Sequence, residues 1–437
     1  MHVLIVAYHF PPDRAVGALR PARIAEALRA AGHRVSIITA KLPGEVQPIR
    51  PAAAGMAVFA VDPVPNPREL YLRGKRLIGR IGRSRGSTTS ATGRHADAES
   101  PEPEVARTVP LWKRSISSVL WLPDDRQGFV PAAVAAARRI HVEHAIDWLI
   151  TTAPPFSAHL AGLRIQRGTG ARWVADFRDP WTDNPWKPAA VRTSLTDRIE
   201  AWLEQRVLQR ADLVLSASEG IQRFFERRRG ADLGKLLVIR NGIEAIMERP
   251  ARNPADPFRI LHMGTFYQGR NPRPFLEALA GIRHRTPTRP VRADFVGRSR
   301  HFKGQSIPDM AHDLQLDDVV VFHDFMPREE VVRMAAESDL LLLLAQGQPD
   351  QVPQKLYEYL GTRVPILAFA DAEGESARML ARAGGHFVVF GDDAAGAEAA
   401  LEQALTTLDG TPAGDHAVLT EWTTDGQLRR LMAALGG

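Results

Sequence analysis

The most informative passage of this chain is Pro353-Gln354-Lys355-Leu356-Tyr357-Glu358-Tyr359-Leu360-Gly361, which continues to Pro365. Its pattern predicts a short loop and then a helix that ends at Gly361. The apolar run Pro365-Ile366-Leu367-Ala368-Phe369-Ala370 predicts a buried strand after that helix. Lys355 and Glu358 are three residues apart and therefore share one face of the helix.

The beginning of this helix is chemically suited to bind a phosphate. The first backbone N–H groups of a helix have no partner within it, so they are available to an anion. Lys355 and Glu358 beside that end can hold a diphosphate and a ribose together. The alternative is a surface ion pair, which contributes roughly a few tenths of a kcal/mol. The stretch alone leaves both interpretations open.

The length and composition of the chain indicate a two-domain globular protein. Its 437 residues exceed a typical single core, and 44% hydrophobic and 24% charged residues are ordinary values. The absence of cysteine excludes disulfides and thiolate metal sites, and we expect a cytoplasmic protein. The apolar residues 2–10 have no basic flank, which favours a buried first strand over a signal peptide. No apolar run reaches the ~18 residues that a membrane-spanning helix needs.

Strands and helices alternate in the first half of the chain. A helix is predicted at Leu19–Ala31, because its apolar residues recur at helical spacing. The predicted strands are at residues 3–7, 35–39, 58–61, 148–151, 173–176 and 213–217. Such alternation predicts a parallel sheet that is covered by helices on both faces.

A second alternating series begins near Phe258 and predicts a second domain. Its strands and apolar runs are at residues 259–263, 293–296, 319–322 and 340–345, and its helices at 274–282, 329–336 and 419–435. We therefore predict an α/β protein with two Rossmann-like domains that face a cleft, at residues 1–245 and 246–437. The terminal helix is a candidate to cross back to the first domain.

Two neighbouring segments of the first domain have an unusual composition. Residues 82–107 are rich in Gly, Ser, Thr, Ala and charges, which predicts a disordered insertion. Residues 68–85 contain seven basic residues and one acid, Glu69, with apolar residues between them. We interpret residues 68–85 as a surface for an anionic membrane, which would place the protein at its inner face. The alternative is a solvated helix docked on the first domain.

Several weak motifs, taken together and in order, resemble the GT-B glycosyltransferases of the large retaining family 4. The resemblance covers nearly the whole chain. Its motifs are Ala7-Tyr8-His9-Phe10-Pro11-Pro12 with Gly17-Ala18-Leu19-Arg20, Ala211-Asp212-Leu213-Val214 with Ser216-Ala217-Ser218-Glu219, Arg240-Asn241-Gly242-Ile243-Glu244, Leu261-His262-Met263-Gly264-Thr265-Phe266, residues 322–331 and residues 353–365.

This resemblance implies a donor-binding set in the second domain. Glu358 matches the second glutamate of the family's Glu-x7-Glu motif and is expected to accept hydrogen bonds from ribose hydroxyls. The first glutamate falls at Asp350, a carboxylate with a shorter arm. Arg270 stands where a phosphate-binding lysine is usual, and Thr265 where an arginine is common, so Lys355 is expected to replace that charge. The other donor-binding residues are Gly17, Gly264 and Gln354.

Acceptor-side residues are predicted at the end of a strand in the first domain. Asp176, Arg178 and Asp179 lie where parallel sheets place ligands, at the carboxyl end of a strand. We expect them to face the cleft and to hold the acceptor or the donor. The alternative is an Arg–Asp pair that only stiffens the loop. Gly17 is in a loop that can approach the diphosphate, and His159 is expected to pack rather than react.

The resemblance implies transfer of a sugar from a nucleotide-diphosphate sugar to a hydroxyl of a lipid-linked or saccharide acceptor, with retention. It implies no required metal and no cofactor besides the nucleotide-sugar substrate. The expected catalytic residues are Asp179, with Arg270 and Lys355, which stabilise the leaving diphosphate. A net charge of +6 favours anionic partners, but nucleic acid is not expected. Synthesis of a cell-surface polysaccharide or glycolipid is the expected role. The alternatives are a nucleotide-sugar 2-epimerase of the same fold and an inert nucleotide-sugar-binding protein.

Overall fold

The structure, a computed structural model, describes most of the chain. The described residues are 1–42, 49–50, 55–66, 69, 118, 120–182, 192–230, 232–250, 253, 256–266, 269–284, 289–408 and 410–436. Except for position 69, the predicted membrane segment 68–85 and the predicted insertion 82–107 lie outside them.

Contacts divide the chain into two compact units. The first unit consists of Met1–Ser216 and Phe225–Leu237, and the second of Ala217–Phe224 and Val238–Gly437. Each unit therefore contains two separate pieces of the sequence. The domain boundary expected after residue 245 stays a prediction.

The first unit is built on an eight-stranded sheet in the order β3-β4-β2-β1-β5-β6-β7-β8. Its strands are β1 (His2–Ala7), β2 (Arg34–Ala40), β3 (Ile49–Arg50), β4 (Met56–Val61), β5 (Trp148–Ala153), β6 (Arg172–Phe177), β7 (Leu213–Ser216) and β8 (Leu236–Val238). β3 is antiparallel to β4, whereas β1, β2 and β4 to β7 pair in parallel. All six residues of β1 and of β5 are buried, as expected for central strands of a parallel sheet.

Within the described residues, helices lie between these strands. They are α1 (Leu19–Ala30), α2 (Phe129–Glu143), α3 (Ser157–Thr169), α4 (Ser194–Arg210) and α5 (Glu219–Arg229). Short 3-10 turns occur at Val16–Ala18 and Leu233–Lys235. The first helix begins at the predicted residue, and α5 is divided between the units after Phe224.

The second unit contains a six-stranded parallel sheet in the order β13-β10-β9-β14-β15-β16. Its strands are β9 (Phe258–Met263), β10 (Val291–Val296), β13 (Val320–His323), β14 (Leu340–Ala345), β15 (Ile366–Ala370) and β16 (Phe387–Phe390), and a separate hairpin pairs β11 (His301–Phe302) with β12 (Gln305–Ser306). The residues of β14 alternate between two apolar clusters, one on each face of the sheet. The apolar run at residues 340–345 is therefore the centre of this unit's core.

Helices cover this sheet as the alternating pattern predicts. They are α6 (Arg273–His284), α7 (Ile307–Asp313), α8 (Arg328–Ala336), α9 (Gln354–Thr362), α10 (Glu375–Ala383), α11 (Ala394–Thr407), α12 (His416–Glu421) and α13 (Thr424–Gly436). The α/β class with two Rossmann-like units is thus present. In the described part of the chain, no helix is both long and apolar enough to cross a bilayer.

A charged network ties the beginning of α5 into the second unit. Glu375 is 1% exposed and accepts hydrogen bonds from Arg240 at 2.8 Å and from Arg223 at 2.9 Å. Arg240 also donates to Glu219 at 2.7 Å. Burial raises the pKa of Glu375, but the two arginines outweigh this effect and hold it below its usual value.

The prediction of a single terminal helix at residues 419–435 is wrong. The structure has two helices there, because residues 422–424 pair with Ile243. The Ile243 N–H donates to the Trp422 carbonyl, and the Thr424 N–H donates to the Ile243 carbonyl, each at 2.8 Å. The Trp422 carbonyl and the Thr424 N–H are thus bonded to another segment of the chain, and the helix is interrupted.

The expected end of α9 at Gly361 is also wrong by one residue. The helix includes Gly361 and ends at Thr362, after which Arg363 adopts a left-handed conformation at φ 58°. A Cβ on Gly361 would lie 2.7 Å from the Ala245 carbonyl oxygen. Glycine is therefore needed at this position because another backbone segment packs directly on the helix.

Gly162 in α3 offers a test of the first unit's packing. A Cβ there would lie 2.6 Å from Trp173 Cζ2 and 2.8 Å from Thr151 Cγ2. We expect Gly162→Ala to reduce the free energy of unfolding by about 1–3 kcal/mol, through overpacking, in a urea titration. Gly168 lies in the same helix with nothing within 4 Å of its Cβ position. Gly168→Ala should therefore be neutral or stabilising by up to about 1 kcal/mol, and equal losses in both variants would contradict this packing.

Candidate functional site

The carboxyl edge of the second sheet brings the turn after β9 against the first turn of α9. Gly264 follows β9 with φ 109°, and its N–H donates to the Val296 carbonyl at 2.8 Å. A Cβ on Gly264 would lie 3.0 Å from Lys355 Nζ. Glycine thus serves two needs here, because it permits the positive φ and leaves room for the lysine.

Lys355 carries an enclosed cation in the first turn of α9. The residue as a whole is partly exposed, but its Nζ is buried and has no hydrogen-bond partner among the described residues. Burial and, to a smaller extent, the nearby charge of Arg270 lower the pKa of Lys355 to about 7, and Glu358 opposes the shift. An enclosed amine without a partner is costly for folding and is available to an anion.

Arg270 and His262 lie in the electrostatic surroundings of Lys355. Arg270 is 6% exposed, and its Nη2 donates to Gln348 Oε1 at 3.4 Å. Burial and the nearby charges of Lys355 and Arg270 hold the pKa of His262 well below its usual range, although the Leu342 carbonyl opposes this. His262 is therefore neutral. His262 was not among the predicted site residues, although it lies in the motif at residues 261–266.

Glu358 lies one turn beyond Lys355 and is held by Arg328, which was not among the predicted site residues. Arg328 donates to Glu358 Oε1 from Nε at 3.2 Å and from Nη2 at 2.9 Å. Arg328 also forms a 2.8 Å ion pair with Glu244. Within the described residues, Glu358 Oε2 receives no hydrogen bond. Arg328 and Glu358 are 30 positions apart in the sequence, so this contact is visible only in the folded chain.

Asp350 is held in place through contacts to its main-chain atoms. The buried Ser218 hydroxyl donates to the Asp350 carbonyl at 2.5 Å, and a Cβ on Gly220 would lie 2.6 Å from Asp350 Cα. On the other side of the same loop, the Gly347 and Gln348 N–H groups donate to the Asp371 carboxylate at 3.1 and 2.9 Å. The loop that leads to α9 is thus fixed from both sides.

The two remaining donor-side residues lie at the ends of these elements. Thr265 is partly exposed directly after Gly264. Gln354 is the first residue of α9, which follows Pro353 without a side-chain hydrogen bond to cap the helix. No side chain of the N-cap residue therefore bonds the first backbone N–H groups of α9.

In the first unit, Asp176 at the end of β6 is fully buried, and its carboxylate is hydrogen-bonded to the side chains of Arg20 and Thr152. Its carboxylate accepts from Arg20 Nε at 2.9 and 3.1 Å, from Arg20 Nη2 at 2.7 Å and from Thr152 Oγ1 at 2.8 Å. Burial raises the pKa of Asp176, but Arg20 and Thr152 outweigh it and hold the pKa below its usual value. The carboxylate fixes α1 to the sheet, and its predicted contact with an acceptor stays a prediction.

Arg178 lies beneath the 3-10 turn that contains Gly17. A Cβ on Gly17 would lie 2.5 Å from Arg178 Nη1, so the glycine allows this close approach. The guanidinium also donates to the carbonyls of Ala153 and Pro154. Burial lowers the pKa of Arg178, whereas Asp179 and Asp176 raise it. Asp179 is partly exposed and is the next residue in the chain.

His159 packs in the interior of the first unit, as expected. It is 0% exposed, its Nδ1 is 2.7 Å from Thr151 Oγ1, and its ring lies 4.4 Å from that of Phe177. Burial lowers its pKa to about 3, although Asp176 opposes this shift. The ring is neutral at physiological pH.

The predicted residues thus form two groups, one in each unit. Gly264, Arg270, Lys355 and Glu358 come together in the second unit, with Thr265 beside them. Gly17, Asp176, Arg178 and Asp179 are neighbours in the first. In the part of the chain that the structure describes, no group of three or more His, Asp or Glu side chains is arranged to hold a metal ion.

A sequence model of the glycosyl transferase 4-like domain matches residues 18–242. The chain belongs to this family. It is a glycosyltransferase, which confirms the predicted enzyme class and the family resemblance. No curated protein matched the chain in a sequence comparison.

Solved structures similar to this glycosyltransferase show its fold. Sucrose-phosphate synthase from Thermosynechococcus elongatus is 15% identical, with a TM-score of 0.65 over 99% of this chain and 100% of that chain. Anabaena HepE in complex with UDP and glucose is 13% identical, with a TM-score of 0.59 over 100% and 99%. WaaB, a lipopolysaccharide outer core galactosyltransferase in its apo form, is 11% identical, with a TM-score of 0.60 over 100% and 99%. The predicted GT-B fold class is confirmed.

We expect Asp176→Asn to destabilise this glycosyltransferase by about 3–5 kcal/mol at neutral pH, because it leaves the buried Arg20 guanidinium without its counter-charge. The folded-state pKa of Asp176 is lowered, so its stabilisation is present above the unfolded pKa of about 4 and is lost as pH falls. The difference between wild type and variant should therefore shrink below about pH 4 in denaturant titrations at several pH values.

The matched control is Glu373→Gln, which removes a carboxylate that is 88% exposed and paired with Arg378. This exposed pair should contribute less than about 1 kcal/mol. Equal stability of both variants at neutral pH would contradict the structural role assigned to Asp176.

Proposed function

We propose that this glycosyltransferase binds a nucleotide-diphosphate sugar at the carboxyl edge of the second sheet and transfers the sugar to an acceptor hydroxyl. The observation that carries this proposal is the Lys355 amine, which is enclosed without a hydrogen-bond partner among the described residues. It lies near a second cation, Arg270, and beside the room left by Gly264.

The diphosphate is the part of the donor that fits this group of cations. Two positive charges in a partly enclosed site repel each other, and a bound dianion would remove that repulsion. The same contacts strengthen when the sugar bond breaks, because negative charge then accumulates on the leaving diphosphate. Lys355 and Arg270 are therefore proposed as the catalytic cations, with the N-terminus of α9 and Gln354 beside them.

Glu358 is proposed to hold the ribose of the donor. Arg328 fixes its carboxylate through Oε1, and Oε2 receives no hydrogen bond from the described residues. An oriented carboxylate with an available oxygen can accept a hydroxyl hydrogen bond without first rearranging. Asp350, which Ser218 positions, is proposed to contact the donor sugar.

On the first unit, Asp179 is proposed to contact the acceptor, because it is partly exposed. Asp176 and Arg178 are proposed to support the acceptor side by holding α1 and the Gly17 turn in place. The UDP and glucose in HepE support a nucleotide-sugar donor, and WaaB's lipopolysaccharide reaction supports a cell-surface glycan as product. We propose that transfer retains the anomeric configuration, which NMR of the product would establish.

The test combines a panel of nucleotide sugars with two variants. Wild type should be stabilised by at least one UDP-, GDP-, dTDP- or ADP-sugar, by ~2.7 kcal/mol at about a hundred times its Kd. With that donor, Glu358→Ala and Arg270→Ala should each reduce kcat/KM for transfer by about a hundredfold or more.

Arg273→Ala provides the control for these variants, because Arg273 is an exposed residue at the start of α6. It should keep wild-type activity, and circular dichroism should show that all three variants are folded. Wild-type turnover in both site variants, or no stabilisation of wild type by any donor, would refute the proposal.

The pH dependence of donor binding provides a separate prediction. The free Lys355 amine has a pKa near 7, and a bound diphosphate raises it by favouring the charged form. The Kd of the donor should therefore be constant below about pH 7 and should weaken by up to about tenfold per pH unit above it. Calorimetry between pH 6 and 9 checks this, and Lys355→Arg should flatten the profile because arginine stays charged. An unchanged slope in Lys355→Arg would assign the titration to another group.

A further inference from the structure

Helix α4 of the first unit has one face that is open to solvent. Its inward residues, Thr196, Glu200, Glu204, Val207 and Leu208, are buried. On the opposite side, Leu195 is 60% exposed and Trp202 is 57% exposed. These two residues are seven positions apart and therefore lie on the same side of the helix, two turns from each other.

Three arginines accompany these apolar side chains. Arg198, Arg206 and Arg210 are exposed, and within the described residues none of them forms an ion pair or a hydrogen bond. The Arg206 guanidinium lies 5.1 Å from the centre of the Trp202 ring, so the cation is held over the indole. We call this surface, formed by Leu195, Arg198, Trp202, Arg206 and Arg210, the α4 face.

Acidic residues of the helix are directed away from the α4 face. Glu200 and Glu204 are 1% and 0% exposed, and Glu204 accepts hydrogen bonds from the Trp181 and Thr182 main chain at 3.1 and 3.3 Å. Asp197 is two positions from Leu195, which places it on another side of the helix. The α4 face therefore presents only positive charge together with large apolar groups.

We propose that the α4 face binds the surface of an anionic lipid bilayer. An indole and a leucine that are exposed on one side of a helix can enter the boundary between headgroups and acyl chains. The arginines beside them would then contact phosphate headgroups, and each contributes through the negative surface potential. A protein partner would have to supply carboxylates at several separate positions, whereas an anionic bilayer supplies negative charge along the whole helix.

The topology of the first unit places the beginning of the α4 face at the carboxyl edge of the sheet. β6 and β7 are parallel neighbours, so the helix between them begins at the carboxyl edge of the sheet and returns along it. Leu195 is thus at the same edge of the sheet as Asp179. The proposal rests on α4 alone and does not depend on the donor site.

Co-sedimentation with vesicles tests this proposal on the full chain. Wild type should bind vesicles of phosphatidylglycerol and phosphatidylcholine, should not bind phosphatidylcholine alone, and should dissociate at high salt. Arg198→Glu/Arg206→Glu should lower the partition coefficient at least about 30-fold, because each arginine is worth about fivefold near such a surface. Trp202→Ala should weaken binding severalfold, and Arg198→Lys/Arg206→Lys should retain it.

The matched control is Arg138→Glu/Arg139→Glu on α2, which changes the net charge equally. Both arginines are exposed and have no ion pair or hydrogen bond with other described residues. This variant should stay within about threefold of wild type, because both arginines lie on another helix, outside the α4 face. Equal loss in both double variants, no binding of wild type to anionic vesicles, or a dimer in sedimentation velocity that Trp202→Ala abolishes would each overturn the proposal. Thermal unfolding would verify that every variant is folded.

Discussion

The second unit depends on a close approach between a turn and a helix. Gly264 suits this turn because it adopts a positive φ and because a Cβ there would lie 3.0 Å from Lys355 Nζ in the first turn of α9. This approach encloses the Lys355 amine and brings it under the influence of Arg270. The lowered pKa of the lysine follows from this enclosure, and the proposed affinity for an anion rests on it.

The two units use buried charge in opposite ways. In the first unit, the Asp176 carboxylate and the Arg20 guanidinium satisfy each other, so this pair contributes to the structure. In the second unit, the Lys355 cation has no hydrogen-bond partner among the described residues. Unsatisfied charge reduces stability, and proteins tolerate it mainly where a ligand supplies the missing partner. This contrast supports the proposed donor site in the second unit and gives the Asp176–Arg20 pair a structural role in the first.

Local pattern was sufficient to predict much of the fold. The strand at residues 340–345 and the start of α9 follow from apolar runs and from the loop before Gln354. The interruption at residues 422–424 could not be predicted, because its cause is a bridge to Ile243, far away in sequence. Arg20 and Arg328 were missed as site residues for the same reason. Each is a common surface residue type whose importance comes from a carboxylate on another element, 156 positions away for Arg20 and 30 for Arg328.

The division of α5 has a consequence for how the chain folds during synthesis. Residues 217–224 belong to the second unit, but they leave the ribosome before residues 225–237, which complete the first. Glu219 can form its ion pair with Arg240, and Arg223 its ion pair with Glu375, only after those later residues have been synthesised. Neither unit corresponds to a single uninterrupted segment, so no one proteolytic cut can release them as two intact halves.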